Sequence, residues 1–239
     1  MTGHRLTREL LLGGGLAEIV ARSGPGVRVL SAAERRASLA ASLAERPEHG
    51  EGVWLFAYGS LIWNPTIKVG ERRVATVPGW HRAFCLAARA GRGTPDAPGL
   101  LLGLRQGGAC QGAVLRVAEA GLEDELDVLW RREMVTGSYT PRWLPVLDPA
   151  GAVFGHALAF TMEPGSPAFS GDLSEAETVE RLATAGGELG TCAEYLFRTC
   201  EGLRGIGVRD PALERLATLV EARLAAREAL VPDQTAPAT

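Results

Sequence analysis

Between Val53 and Met162 the chain is a succession of short runs rich in β-branched, aromatic and leucine residues, each ended by glycine or proline. After Val53 to Phe56, the candidate strands are Arg73 to Val77, Ala83 to Ala88, Leu100 to Leu104, Gly112 to Val117, Trp143 to Leu147 and Val153 to Met162. Glycine and proline are where turns need them. Several short strands in succession favour a small closed or nearly closed barrel. One stretch breaks the pattern, because Leu122, Leu126 and Leu129 recur at helical spacing between Glu119 and Arg132. Past Met162 the chain turns helical. Ser174 with Glu177 forms a capping box opening a helix to about Ala185, a second lies around Cys192 to Gly202, and Asp210-Pro211 starts the last with a cap and a first-turn proline. Leu213, Leu216, Val220 and Leu224 stripe one face of that last helix, as core residues do. The expected fold class is α+β, a small mixed β-barrel with packed helices.

Residues 1–52 read as an N-terminal helical arm ahead of a main domain at 53–230, with 231–239 as a disordered tail. Ser31 and Glu34 make a capping box, and alanine–leucine periodicity carries the helix to about Glu45, where Arg46-Pro47 stops it. This helix is expected to pack on the main domain or on a partner chain. Gly13-Gly14-Gly15 lacks the Gly-Lys-Ser/Thr ending of a phosphate loop and reads as a flexible joint. The apolar stretch at Leu10-Leu11-Leu12 is broken by Glu18 and Arg22, well short of the roughly twenty residues that span a bilayer. A cytoplasmic protein is the simplest expectation.

A formal net charge of −3 argues against nucleic acid or an anionic membrane as the main partner. Lys68 is the sole lysine, and the arginines are spread along the chain. Cys85, Cys110, Cys192 and Cys200 make no Cys-x-x-Cys pair and read as reduced, packed thiols. No histidine among His4, His49, His81 and His156 stands at ligand spacing from a cysteine or another histidine. Neither metal nor cofactor is expected.

The most specific local signal is Tyr58-Gly59-Ser60-Leu61-Ile62-Trp63, directly after the apolar run Val53-Trp54-Leu55-Phe56. A glycine at a strand end admits backbone shapes closed to other residues and lets a ligand approach closely. The N–H groups that follow have no assured sheet partner and can point at an anion or a carbonyl oxygen. Taken alone, this is also the pattern of a tight turn after a core strand. A second block follows at Trp130-Arg131-Arg132-Glu133-Met134-Val135-Thr136-Gly137-Ser138-Tyr139. There Trp130, Met134 and Val135 are apolar neighbours of Glu133, and burial raises a carboxyl pKa, while Arg131 or Arg132 close by would lower it. Taken alone, Glu133 is also a glutamate paired with an arginine at a helix end.

Together the two blocks resemble the ChaC family of γ-glutamylcyclotransferases, most of all its bacterial members. The likeness continues through Gly79-Trp80-His81-Arg82-Ala83-Phe84-Cys85-Leu86, Gly91-Arg92-Gly93-Thr94 and Gly190-Thr191-Cys192-Ala193-Glu194-Tyr195-Leu196-Phe197. It spans about Val53 to Leu224, with a weaker likeness at Ser31 to Pro47. The resemblance implies a small barrel with helices around it and glutathione as substrate. The α-amine of the γ-glutamyl unit would attack its own side-chain amide, closing 5-oxoproline and releasing Cys-Gly. It implies Glu133 as the general acid/base, with Tyr58, Gly59, Ser60, Leu61, Ile62 and Tyr139 binding substrate. Backbone donors from Gly59 to Leu61 would hold a carboxylate or the oxyanion, with Gly59 expected at positive φ. Tyr195 is expected to pack in the core with its hydroxyl bonded. Arg82 and Arg89 are candidate cations for a substrate carboxylate, with surface ion pairs as the alternative.

Two departures stand out. Ala57 and Phe169 occupy positions where the family usually has glycine and often has tyrosine. Three readings are open: a glutathione-degrading cyclotransferase, a cyclotransferase for another γ-glutamyl amide or amine, and a non-catalytic regulatory protein of the same fold. Because no set of side chains has ligand spacing, cyclotransferase activity is expected to survive prolonged incubation with a strong chelator. Loss of turnover that one particular metal restores would overturn that expectation.

Overall fold

The computed structural model describes residues 5–24, 26–47, 52–117 and 119–230. Five strands form a closed barrel in the order β1-β3-β2-β4-β5. They are β1 (Val53–Ala57), β2 (Glu71–Ala88), β3 (Gly99–Val117), β4 (Thr140–Leu147) and β5 (Val153–Thr161). Neighbours run antiparallel except at the seam, where β5 runs parallel to β1 at Leu55 and Leu158 and to β3 at Leu104 and Thr161. The expected mixed barrel with packed helices is therefore the fold observed.

The strands are fewer and longer than their sequence signals. The runs at Arg73 to Val77 and Ala83 to Ala88 join into β2, and those at Leu100 to Leu104 and Gly112 to Val117 join into β3. Gly79 does not end the strand. Pairing shifts register between Pro78 and Trp80 and resumes at Trp80 with Gln106. A bulge of this kind bends a strand without ending it, which lets one long hairpin supply two walls of the barrel.

Phe56, Leu115, Leu158 and Phe160 fill the interior with no appreciable exposure. Trp130 of α4 (Leu122–Glu133) covers the core, its ring centroid 5.5 Å from that of Phe160 in an edge-to-face contact. The helix expected over Glu119 to Arg132 thus begins at Leu122, and Glu133 is its last residue. The helices α5 (Glu175–Thr184), α6 (Cys192–Gly205) and α7 (Pro211–Ala229) pack on one another, and α5 and α6 pack on β3, with a short β6 (Gly186–Gly187) and β7 (Gly190–Thr191) before α6. Both capping boxes are present. All four cysteines are buried and unpaired.

The N-terminal segment is more structured than its sequence signals. α1 (Arg8–Leu12) and α2 (Gly15–Arg22) are joined by a tight turn at Gly13 and Gly14 in place of the expected joint. Gly13 N–H donates to Glu9 O at 2.9 Å, and Gly14 takes φ +81°, a shape that glycine adopts freely. α3 (Ala32–Ala44) packs on the main domain, accepting hydrogen bonds from the Trp130 indole at Ser38 Oγ and from the Trp143 indole at Ser42 O. Among the described residues no helix is long and apolar enough to cross a membrane. The expected disordered tail, His4 and His49 lie outside the described residues.

Candidate active site

Four elements converge on one cleft. β1 ends at Ala57, and the chain passes through Tyr58 and Gly59 into a 3₁₀ turn, Ser60–Ile62. That turn presents the Ser60 side chain while burying Leu61 and Ile62. The C-terminal end of α4 delivers Arg132 and Glu133, the segment before β4 delivers Tyr139, and the first turn and a half of α6 delivers Tyr195.

Arg132 ties these parts together. Its Nε lies 2.8 Å from Glu133 Oε1, and its Nη2 donates to Ser60 Oγ at 2.8 Å. Its Nη1 donates to Asn64 O and, at 3.2 Å, to Thr66 Oγ1. Three groups of one planar guanidinium are thereby committed, fixing the carboxylate relative to the turn. The side chains of Arg132 and Glu133 are 4% and 13% exposed, so the pair is shielded but the carboxylate still reaches the cleft. Burial pushes the Glu133 pKa above its ordinary value, and the Arg132 charge and hydrogen bond offset part of that rise. Thr66 sits at φ +58°, a strained shape for a β-branched residue, while bridging Arg132 to Arg8 through its side chain and its carbonyl oxygen.

Three tyrosines surround the carboxylate. Tyr58 Oη donates to Phe160 O at 2.7 Å, and Tyr139 Oη donates to Leu102 O at 2.8 Å. Burial is the main cause that holds both hydroxyls well above the usual phenol range, with Glu133 contributing to each. Burial and Glu133 push Tyr195 to about 12 as well. All three therefore stay protonated donors at neutral pH.

Ser60, Glu133, Tyr139 and Tyr195 line the cleft, as four of the sequence signals converge in space. Tyr58 is buried behind it, its hydroxyl turned into the barrel. Leu61 and Ile62 are core side chains, so any contribution they make to binding comes from the backbone. Gly59 has φ −142°, which corrects the expected positive value. Its requirement is spatial, since a Cβ there would lie 2.8 Å from Tyr195 Oη. Arg82 is not a free cation. It pairs with Asp210 at 3.0 Å and donates to Tyr58 O at 2.8 Å and to Gln111 O, which braces the turn from behind. Ala57 fits as the last paired residue of β1, opposite Ala113. The Phe169 ring packs 5.0 Å from the Arg105 guanidinium, while Pro167 and Ala168 line the cleft.

The sequence reading did not separate Arg132 from Arg131, and it missed Asn64, Thr66 and the arm. Arg131 pairs along the helix with Asp127 at 2.6 Å, whereas Arg132 falls on the buried stripe of α4. Helical phase, counted from Leu126 and Leu129, was the signal that distinguishes them.

The cleft encloses about 1110 Å³ and is lined by seven arginines against two glutamates, Glu133 and Glu194. On a chain of net charge −3 this is a local positive field suited to a small anion. Ser60→Ala removes one acceptor of Arg132 and one hydroxyl from the cleft. We expect kcat/KM to fall by about tenfold, from the ~1–2 kcal/mol of one such hydrogen bond, with thermal stability nearly unchanged. A variant as active as wild type would show that the Ser60 hydroxyl takes no part.

A small closed barrel whose arginine-lined cleft reaches a shielded carboxylate is the arrangement of an enzyme acting on a small molecule. Residues 53–223 match the family of ChaC-like proteins, and the chain belongs to that family. It is 45% identical over 196 residues to the glutathione-specific γ-glutamylcyclotransferase of Escherichia coli, covering 82% of this chain and 84% of that one. It is 31% identical to glutathione-specific γ-glutamylcyclotransferase 1 of Danio rerio, covering 64% and 79% of the two chains. The crystal structure of a yeast γ-glutamyl cyclotransferase specific to glutathione superposes with a TM-score of 0.66 at 20% identity, over 72% of this chain and 97% of that one. That last likeness concerns the fold.

Proposed function

We propose that this chain is a γ-glutamylcyclotransferase that degrades glutathione to 5-oxoproline and Cys-Gly. The observation that carries the chemistry is the Glu133 carboxylate, shielded in the cleft and held 2.8 Å from Arg132, whose other nitrogen holds Ser60. Kinship to the Escherichia coli enzyme supports the choice of substrate.

The nucleophile belongs to the substrate, so positioning supplies much of the rate. Glu133 takes a proton from the α-ammonium group. The freed amine attacks the γ-carbonyl carbon and closes the five-membered ring. Ser60 Oγ and the N–H groups at the start of the 3₁₀ turn, which have no earlier helical carbonyl to bond, face the developing oxyanion. The bond from carbon to the cysteinyl nitrogen then breaks as Glu133 returns its proton to that nitrogen, and the carboxylate next passes the second proton of the ring nitrogen to the departing amine, which leaves as ammonium. One carboxyl group thus serves as base and then acid, and a raised pKa suits both roles. A cytoplasmic setting belongs to the same reading, supported by four unpaired cysteines and by the reducing glutathione pool there.

The test is turnover of purified protein with glutathione and a panel of other γ-glutamyl amides, followed by 5-oxoproline release. Glutathione is expected to be turned over best. A different γ-glutamyl amide turned over far faster would overturn the substrate assignment, and no 5-oxoproline from any of them would overturn the activity.

A further inference from the structure

The region matched by the family begins at residue 53, yet one wall of the cleft comes from before it, including Arg5, Leu6, Arg8 and Arg28. The arm is anchored firmly to the catalytic side. Arg8 grips the buried Glu125 through two hydrogen bonds of 2.5 and 2.9 Å, and Glu125 also accepts from Lys68 N. Asn64 Nδ2 donates to Leu6 O at 2.9 Å, and Asn64 O accepts from Arg132. The arm therefore reaches the Arg132–Glu133 pair through two residues, Asn64 and Thr66.

Most arginines in the cleft are already committed. Arg8 serves Glu125, and Arg28 serves Glu34. Arg92 and Arg198 share Glu194 and also stack on Tyr195 and Trp63. Among the described residues no hydrogen bond or ion pair occupies Arg5 or Arg89, and both are exposed where they line the cleft. Two uncommitted guanidinium groups in one cleft suit a carboxylate, which a guanidinium binds through paired hydrogen bonds.

The position of Arg89 relative to the reacting end fits the same occupant. Cys85 belongs to a buried cluster against which Tyr139 packs. Arg89 comes four residues later, just past the end of β2, about 13 Å along an extended chain. The two residues beyond the reacting carbonyl of glutathione extend about 7 Å, ending in the glycine carboxylate. A long arginine side chain turned into the cleft covers the difference.

We infer that Arg5, from the arm, and Arg89, from the end of β2, form the subsite for the glycine carboxylate of the leaving dipeptide, and so act as specificity-determining residues. This rests on the glutathione reading above. The experiment compares glutathione with its glycine-carboxamide analogue, measuring 5-oxoproline from wild type, Arg89→Ala and the Arg5→Ala/Arg89→Ala double variant. Wild type is expected to prefer the acid in kcat/KM by at least about tenfold, the loss expected for a charged hydrogen bond. That ratio should drop in Arg89→Ala and approach one in the double variant, chiefly through KM for the acid. Melting temperatures show whether the arm stays docked. A ratio the same in all three proteins, or a wild type indifferent to the amide, overturns the subsite while leaving the cyclotransferase reading intact. A wild type that forms no 5-oxoproline from either compound overturns both.

Discussion

Replacing Glu133 by glutamine is expected to leave a folded protein that forms 5-oxoproline at less than about a hundredth of the wild-type rate, the scale of a lost general acid–base group. Glutamine keeps the volume and still accepts the hydrogen bond from Arg132 Nε, but it cannot carry the proton. The same variant reports on burial. Since the folded-state pKa of Glu133 is raised, the folded protein holds its proton over a pH range where the unfolded chain has released it. Wild-type stability contributed by this group is thus fully present below the ordinary value of 4.5 and is lost as pH rises through the folded value. The variant lacks that loss, so its stability relative to wild type should increase from acid to neutral pH in denaturant titrations. A relative stability that falls over that range would show that Arg132 outweighs burial. Near-normal turnover by the folded variant would falsify the proton-carrying role.

Gly59→Val should be nearly as damaging to turnover, for a steric reason. A Cβ at residue 59 meets Tyr195 Oη at 2.8 Å, with Leu102 Cδ1 at 3.5 Å behind. Tyr195 has nowhere to retreat. Its ring makes edge contacts with Trp63 and Phe84 at 6.1 and 6.0 Å and lies under Arg92 at 5.5 Å. The turn or the tyrosine must shift, and overpacking of this kind costs about 1–3 kcal/mol. Because the turn holds Ser60, which Arg132 holds to Glu133, the displacement reaches the reacting groups. A fall in kcat/KM of roughly a hundredfold is expected, since misplacement by about 1 Å has effects of that size. Melting temperature, KM and kcat measured together separate the causes. An unchanged KM and kcat in a stable variant would reduce the turn to a structural role.

Much of this was legible in the chain because the signals are local. Capping boxes at Ser31 and Ser174, the proline after Asp210 and the leucine spacing of α4 each specify an element within a few residues. Glu133, Ser60 and Tyr139, which the resemblance singles out, come together in one cleft. What was not legible depends on distant partners. Gly79 carries the mark of a turn, yet pairing with β3 across a bulge carries β2 onward to Ala88. Arg82 has the mark of a surface cation, yet Asp210 claims it from the far end of the chain. The arm gave no chemical signal, since Arg5 and Arg8 come to line the cleft only when Glu125 and Asn64 draw that segment against it. Register and docking of this kind are long-range, and periodicity does not encode them.

In the proposed reaction the substrate's own amine, and not water, cleaves the γ-glutamyl bond in this cleft. Purified protein turning over glutathione in water enriched in oxygen-18 tests it most directly by mass spectrometry. The expected result is 5-oxoproline and Cys-Gly in equal amounts, with no heavy oxygen in either product. Free glutamate bearing one heavy oxygen would contradict it, because that product requires water as the nucleophile.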